Sequence, residues 1–134
     1  VIDATKEATT RSYSPYYHCQ VGAAIQLANN ESITGSNQEK AAYPSGLCAE
    51  RTALIFANAR FPEESVHTMA IAAFHQGKFT QDPVTPGGAC RQVMIEAQNR
   101  YKQPIKLFLY GTKEIFVIET VADILPLSFG EENL

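Results

Sequence analysis

Cys48-Ala49-Glu50-Arg51-Thr52-Ala53-Leu54-Ile55-Phe56-Ala57 is the stretch from which the rest of the chain is read. Its first four residues put a thiol, a carboxylate and a guanidinium within one turn. They stand where a helix begins, beside unpaired backbone N–H groups and the positive end of the helix macrodipole. Residues 53–57 are apolar on all sides, so the helix is expected inside a core rather than on its surface. Glu50 and Arg51 are then carried into a partly dry place. A charge there needs a partner or a task.

Upstream, residues 3–11 suit a helix that ends before Ser12-Tyr13-Ser14-Pro15, because the residue before a proline is biased away from the α region. The chain opens without Met in what reads as a helix already under way, so residues are expected to precede it. The odd positions from Val21 to Leu27 are Val, Ala, Ile and Leu, an alternation that predicts a strand facing a core. Asn29-Asn30 supplies turn chemistry, and Ser32–Ser36 completes a hairpin. A polar, turn-rich loop from Ser36 to Gly46 then delivers the chain to the Cys48 helix, which Phe61-Pro62 stops.

Downstream, Met69–Phe74 is a continuous apolar run, which fits a central strand buried on both faces. A loop from His75 to Ala89 leads to a second helix at Cys90, whose stripe of Cys90, Val93, Met94, Ala97 and Tyr101 turns the thiol toward the core face. Ile105–Tyr110 and Ile115–Ile118 read as strands. A short helix is expected from Thr120, capped by its hydroxyl and stopped by Pro126. Helices alternate with strands in the middle of the chain, which predicts a three-layer α/β domain over a mixed sheet of about five strands.

The length of 134 residues is that of one domain, spanning 1–134, with enough chain for a core without disulfides. A net charge of −3 and a pI near 5.6 give no basic footprint, which argues against nucleic acid or an acidic membrane as partner. A small neutral substrate is compatible. Three cysteines form no disulfide framework, and no apolar run approaches the ~20 residues that span a bilayer. The expectation is a soluble cytoplasmic protein with reduced thiols.

Thiolates at helix N-termini are stabilised by the local field and make good metal ligands or nucleophiles. Cys48 and Cys90, reached from two packed helices, suit one zinc ion with an open position for water, and Glu50 lies close enough in sequence to carry protons. A buried Cys is also a small apolar residue, so on spacing alone both readings stay open. A thiol redox role for the pair is a third reading. His18, His67 and His75 are too scattered to nominate as ligands.

Tyr13-Ser14-Pro15-Tyr16, His18, Val21-Gly22-Ala23-Ala24, Asn37-Gln38-Glu39, Tyr43-Pro44, Gly46-Leu47-Cys48-Ala49-Glu50-Arg51-Thr52-Ala53, Ala89-Cys90-Arg91-Gln92-Val93 and Leu125-Pro126-Leu127-Ser128-Phe129 together resemble the small tetrameric cytidine deaminases, almost from end to end. Cys-Ala-Glu followed by Cys-Arg-Gln belongs to the zinc-deaminase signature. The resemblance implies an α/β/α fold with a mixed five-stranded sheet, a homotetramer, zinc as cofactor, and hydrolytic deamination of cytidine, deoxycytidine or a related nucleoside in pyrimidine salvage. It makes Glu50 the acid/base and Cys48 and Cys90 zinc ligands, with Arg51 balancing thiolate charge. Asn37, Glu39 and the backbone of Ala49 would meet the ribose or base. Ala41 and Tyr43 would approach the 5′ end of the nucleoside from neighbouring subunits, as Phe129 would the pyrimidine face. Read from the residues alone, Asn37 and Glu39 are more simply a solvated turn, and Phe129 a docked tail residue.

Two positions depart from that pattern. Gly87 stands where a third thiolate is expected, and Cys19 where the family usually has a Phe beside the base. Cys19 as a substitute ligand is one outcome of this pairing. A deaminase fold that binds a nucleoside without turning it over is the alternative function.

Overall fold

The computed structural model of the chain describes residues 1–16, 18–42 and 46–134. The N-terminal segment forms α1 (Ile2–Ala8) and a 3₁₀ turn, Thr9–Arg11. Strands β1 (Cys19–Leu27) and β2 (Ser32–Ser36) pair antiparallel across a turn in which Asn30 takes a positive φ. Next come α2 (Ala49–Arg60), β3 (Val66–His75) and the two-residue β4 (Lys78–Phe79). They are followed by α3 (Gly88–Tyr101), β5 (Lys106–Tyr110) and β6 (Ile115–Ile118). Thr120 caps a 3₁₀ helix, Val121–Ile124, by accepting from the Ala122 N–H.

The sheet runs β2-β1-β3-β5-β6, with β4 hairpinned onto β3. It is mixed, since β3 and β5 are parallel while the other neighbours are antiparallel. The α/β class and the mixed sheet match the sequence expectation, with the two-residue β4 added to the five strands expected. The hairpin to β4 lies inside the stretch expected as loop, and it closes through Gln76 and Gly77, both at positive φ as a primed turn requires.

Helices cover both faces of the sheet. Val21, Ala23, Ile25 and Leu27 face α2 and α3 as the alternation predicts, but the even positions Gly22 and Ala24 are buried too. They lie under α1, where the single Thr5 hydroxyl proton is shared between the carbonyls of Gly22 and Ala70, at 2.8 and 2.9 Å from the hydroxyl oxygen. Small side chains on that face let the helix sit close to the strands.

One expectation needs correction. The helix at Cys48 is not buried all round, for Ile55 and Phe56 are 53% and 55% exposed. Its inward face is Ala49, Glu50, Ala53, Leu54 and Ala57, one stripe against the sheet. The outward face of a helix that packs on one side of a sheet keeps its apolar residues uncovered within a single chain.

Chain direction places the site. Strands β2 and β3 both pair antiparallel with β1 and so point the same way. The helices that follow them, α2 and α3, therefore start at one edge of the sheet, beyond the carboxyl ends of the strands. Ligand sites of α/β sheets form there.

Candidate active site

Cys48 is the N-cap of α2, with extended backbone, and Glu50 is the second residue of the helix proper. Gly87 is the N-cap of α3, which starts two residues earlier than Cys90, so Cys90 lies in its first turn. The two helix starts converge. Cys48 Sγ, a Glu50 carboxylate oxygen and Cys90 Sγ all lie within 4.8 Å of one another.

The two sulfurs come into direct contact, and Cys19 stands apart from them. The cause is the convergence of the helix starts, which aims both thiols at one point. Their Cα atoms stand 7.3 Å apart, wider than the roughly 4.4–6.8 Å that disulfides usually span. That width suits two sulfurs flanking a shared ion at about 2.3 Å each. Two soft donors, a carboxylate and an adjoining cleft form a donor set that fits zinc.

Glu50 is only 5% exposed. Burial pushes its carboxyl above the ordinary carboxylate range, opposed by its own backbone N–H and by the Arg51 charge. A proton is thereby held more readily, as an acid/base group at neutral pH requires. The cluster forms the floor of a cleft of about 480 Å³, a size that suits a small molecule. Asn37, Glu39 and Ala49 line it, with apolar walls from Val21, Leu47, Ile71, Val84 and Pro86.

Residues 1–103 match the family model described as the cytidine and deoxycytidylate deaminase zinc-binding region, a span that includes Cys48, Glu50 and Cys90. The chain belongs to this deaminase family. A cytidine deaminase of Halalkalibacterium halodurans is 37% identical over all of this chain and 95% of its own length. One of Sporosarcina psychrophila is 35% identical over all of this chain and 92% of its own. The crystal structure of cytidine deaminase from Burkholderia pseudomallei superposes with a TM-score of 0.81 at 34% identity, covering 96% of this chain and 95% of that one.

Within this deaminase, Asn37 is firmly tied. Its Oδ1 accepts from the Ser12 hydroxyl and, at 2.8 Å, from the Val21 N–H, while its Nδ2 donates to the Cys19 carbonyl at 2.9 Å. Glu39 accepts from the Tyr16 N–H at 2.9 Å. Gln38 and Leu47 exchange backbone hydrogen bonds of 2.8 and 2.9 Å, which holds the 37–39 segment beside the start of α2. Arg51 donates to the Gly46 carbonyl at 3.5 Å. Its charge bears on Glu50.

Gly87 lines the cleft, and a Cβ built there would meet nothing within 4 Å. Cys19 stands outside both the sulfur–carboxylate cluster and the cleft lining, so it does not replace the missing thiolate. Ala41 is exposed and does not line this chain's own cleft, and Tyr43 lies outside the described residues. Phe129 is 59% exposed, its carbonyl accepting from Gln92 Nε2 at 2.8 Å, and its ring is not part of the cleft of its own chain.

Sequence reasoning missed Arg91. Its Nε donates to the Pro86 carbonyl at 2.7 Å and its Nη1 to the Ile124 carbonyl at 2.9 Å, which fixes the Val84–Gly87 wall against α3. Its place directly after Cys90 was the available signal. The apolar walls at Val84 and Pro86 had none, because they lie in a segment without periodicity.

Proposed function

We propose that this chain hydrolyses the exocyclic C–N bond of cytidine, deoxycytidine or a related nucleoside, giving the uridine form and ammonia. The observation that carries the reading is the Cys48–Glu50–Cys90 cluster on the floor of an apolar cleft. The relatives named cytidine deaminase, aligned over the whole chain, support it.

Cys48 and Cys90 would hold zinc, which supplies the Lewis acidity that makes water a nucleophile at neutral pH. Glu50 would take one proton from the attacking water and pass it to the ring nitrogen, then take the second from the hydroxyl so formed and pass it to the amine, which leaves as ammonia as the carbonyl forms. Burial favours both transfers, because the carboxyl neither loses its proton readily to solvent nor stays ionised without opposition. Val21, Ile71 and Leu47 exclude bulk water around the base, while Asn37, Glu39 and the Ala49 backbone orient the nucleoside. Arg51 offsets negative charge at the thiolates and at Glu50.

The working form in this reading is a homotetramer of chains that each act as one domain. Phe129 is exposed and outside its own cleft, and Ile55 and Phe56 leave the outer face of α2 uncovered, which supports contributions between subunits. Ala41 and Tyr43 are proposed to reach a neighbour's nucleoside in the same way. No described helix is long and apolar enough to cross a membrane. A cytoplasmic setting suits two ligand thiols that must stay reduced, and the deamination itself suits pyrimidine salvage.

Zinc per chain, measured together with conversion of cytidine to uridine by reduced protein, tests the reading. One ion per chain and stoichiometric ammonia are expected. Nucleoside binding with zinc bound and no product would favour the non-catalytic binding protein instead.

A further inference from the structure

Catalytic zinc is usually held by three protein donors with one position open. This chain brings two sulfurs to the site, and Gly87 has no side chain to supply a third. The space at Gly87 is not taken by a substitute, since a Cβ there meets nothing within 4 Å. Among the described residues, Glu50 is the one other metal-binding side chain with a donor atom within 4.8 Å of both sulfurs. Donor atoms around a tetrahedral zinc with bonds of about 2.0–2.3 Å sit roughly 3.5–4 Å apart. Once the two sulfurs part from contact, the trio can share one centre. Glu50 also lacks any ion pair among the described residues although it is buried. Its own backbone N–H and the Arg51 charge compensate the buried carboxylate only in part, and a cation placed between it and the sulfurs would add to that compensation.

We propose that Glu50 is the third protein ligand of the resting metal centre, standing in for the donor that Gly87 cannot supply, and that it leaves the ion to move a proton once substrate fills the cleft. The inference rests on the zinc-deaminase reading above. Its consequence is a competition within one side chain. A carboxylate that grips the ion is withheld from proton transfer, whereas a cysteine at position 87 would release it for that work alone.

Zinc affinity separates the two roles without relying on turnover. Reduced wild type, Glu50→Gln, Gly87→Cys and the double variant are titrated against a chromophoric chelator, and each metal-free form is checked by circular dichroism. Glu50→Gln should lower zinc affinity by about tenfold or more in the Gly87 background. In the Gly87→Cys background the same change should cost less than about threefold. Cobalt(II) in place of zinc should show a ligand-field spectrum that changes with Glu50→Gln in the first background only. If Glu50→Gln does not fold, Glu50→Asp, which keeps the charge but shortens the reach, should weaken zinc in the Gly87 background alone. An affinity that is independent of residue 50, or that falls equally in both backgrounds, overturns the proposal and leaves the deaminase reading intact. Failure of both wild type and Gly87→Cys to hold one zinc per chain overturns that reading as well.

Discussion

Gly35 sets the distance between the sheet and α2, and replacing it with alanine should move the site. A Cβ at residue 35 would stand 2.7 Å from the Ala53 nitrogen and 2.9 Å from the Ala49 carbonyl oxygen. Both neighbours are backbone of the first turns of α2, so no flexible side chain can yield. To reach ordinary contact at 3.4 Å the start of α2 must retreat by about 0.7 Å, carrying Cys48 and Glu50 away from Cys90. Overpacking of this kind costs about 1–3 kcal/mol, or roughly 3–10 °C in Tm for a chain of this size. The displacement is close to the ~1 Å that can cost 10²-fold in rate, and zinc affinity should fall with it. Urea unfolding of the reduced, chelated protein reads the first effect and chelator competition the second. Gly77→Ala is the control, because Gly77 has φ +80° with nothing within 4 Å. It should cost about 1 kcal/mol through backbone conformation and leave zinc affinity unchanged. A Gly35→Ala protein within about 0.5 kcal/mol of wild type, with unaltered zinc affinity, would refute the reasoning.

Gly87→Cys adds a thiol to open space beside the cluster, so both zinc affinity and cytidine turnover should rise, the affinity by more than the ~10-fold typical of a gained outer-shell contact. Equilibrium dialysis and a steady-state assay check the two together. Burial, with a smaller contribution from Glu39, raises the Cys19 thiol above the ordinary thiol range. Less of it is thiolate at neutral pH, so alkylation by iodoacetamide, followed on the Cys19 peptide by mass spectrometry, should be slow at pH 7 and faster in Glu39→Gln. Phe129→Ala should raise KM for cytidine with little change in zinc content. Measured by light scattering, that variant should keep the wild-type assembly, and, if the proposed homotetramer forms, mixing it with wild-type chains should give hybrids of intermediate KM.

The alternation in β1 and the apolar run in β3 were legible because they map directly onto side-chain direction in strands. The cluster was legible because Cys48, Glu50 and Cys90 carry chemistry that few other arrangements use. The second face of β1 was not, since Gly22 and Ala24 have no hydrophobic bulk to reveal the helix above them. Nor was the exposed side of α2, where Ile55 and Phe56 look like core to any count of apolar residues. Asn37 reads as a turn residue in sequence. Its three hydrogen bonds depend on Ser12, Cys19 and Val21, which only the fold brings to it. The contact between Cys48 and Cys90 likewise depends on β2 and β3 pointing the same way, a fact of topology that sequence spacing does not contain.

Turnover of cytidine by the reduced protein at saturating zinc, compared between wild type and Glu50→Gln, tests the central claim most directly. Loss of cytidine absorbance and release of ammonia are followed together, with nucleoside binding measured separately by thermal shift. Wild type should produce uridine and ammonia in equal amounts, while the variant binds cytidine and loses roughly 10² to 10⁴-fold in rate, since an amide cannot carry the proton. Equal rates in the two proteins, or no product from a wild type that holds one zinc per chain, would contradict the account.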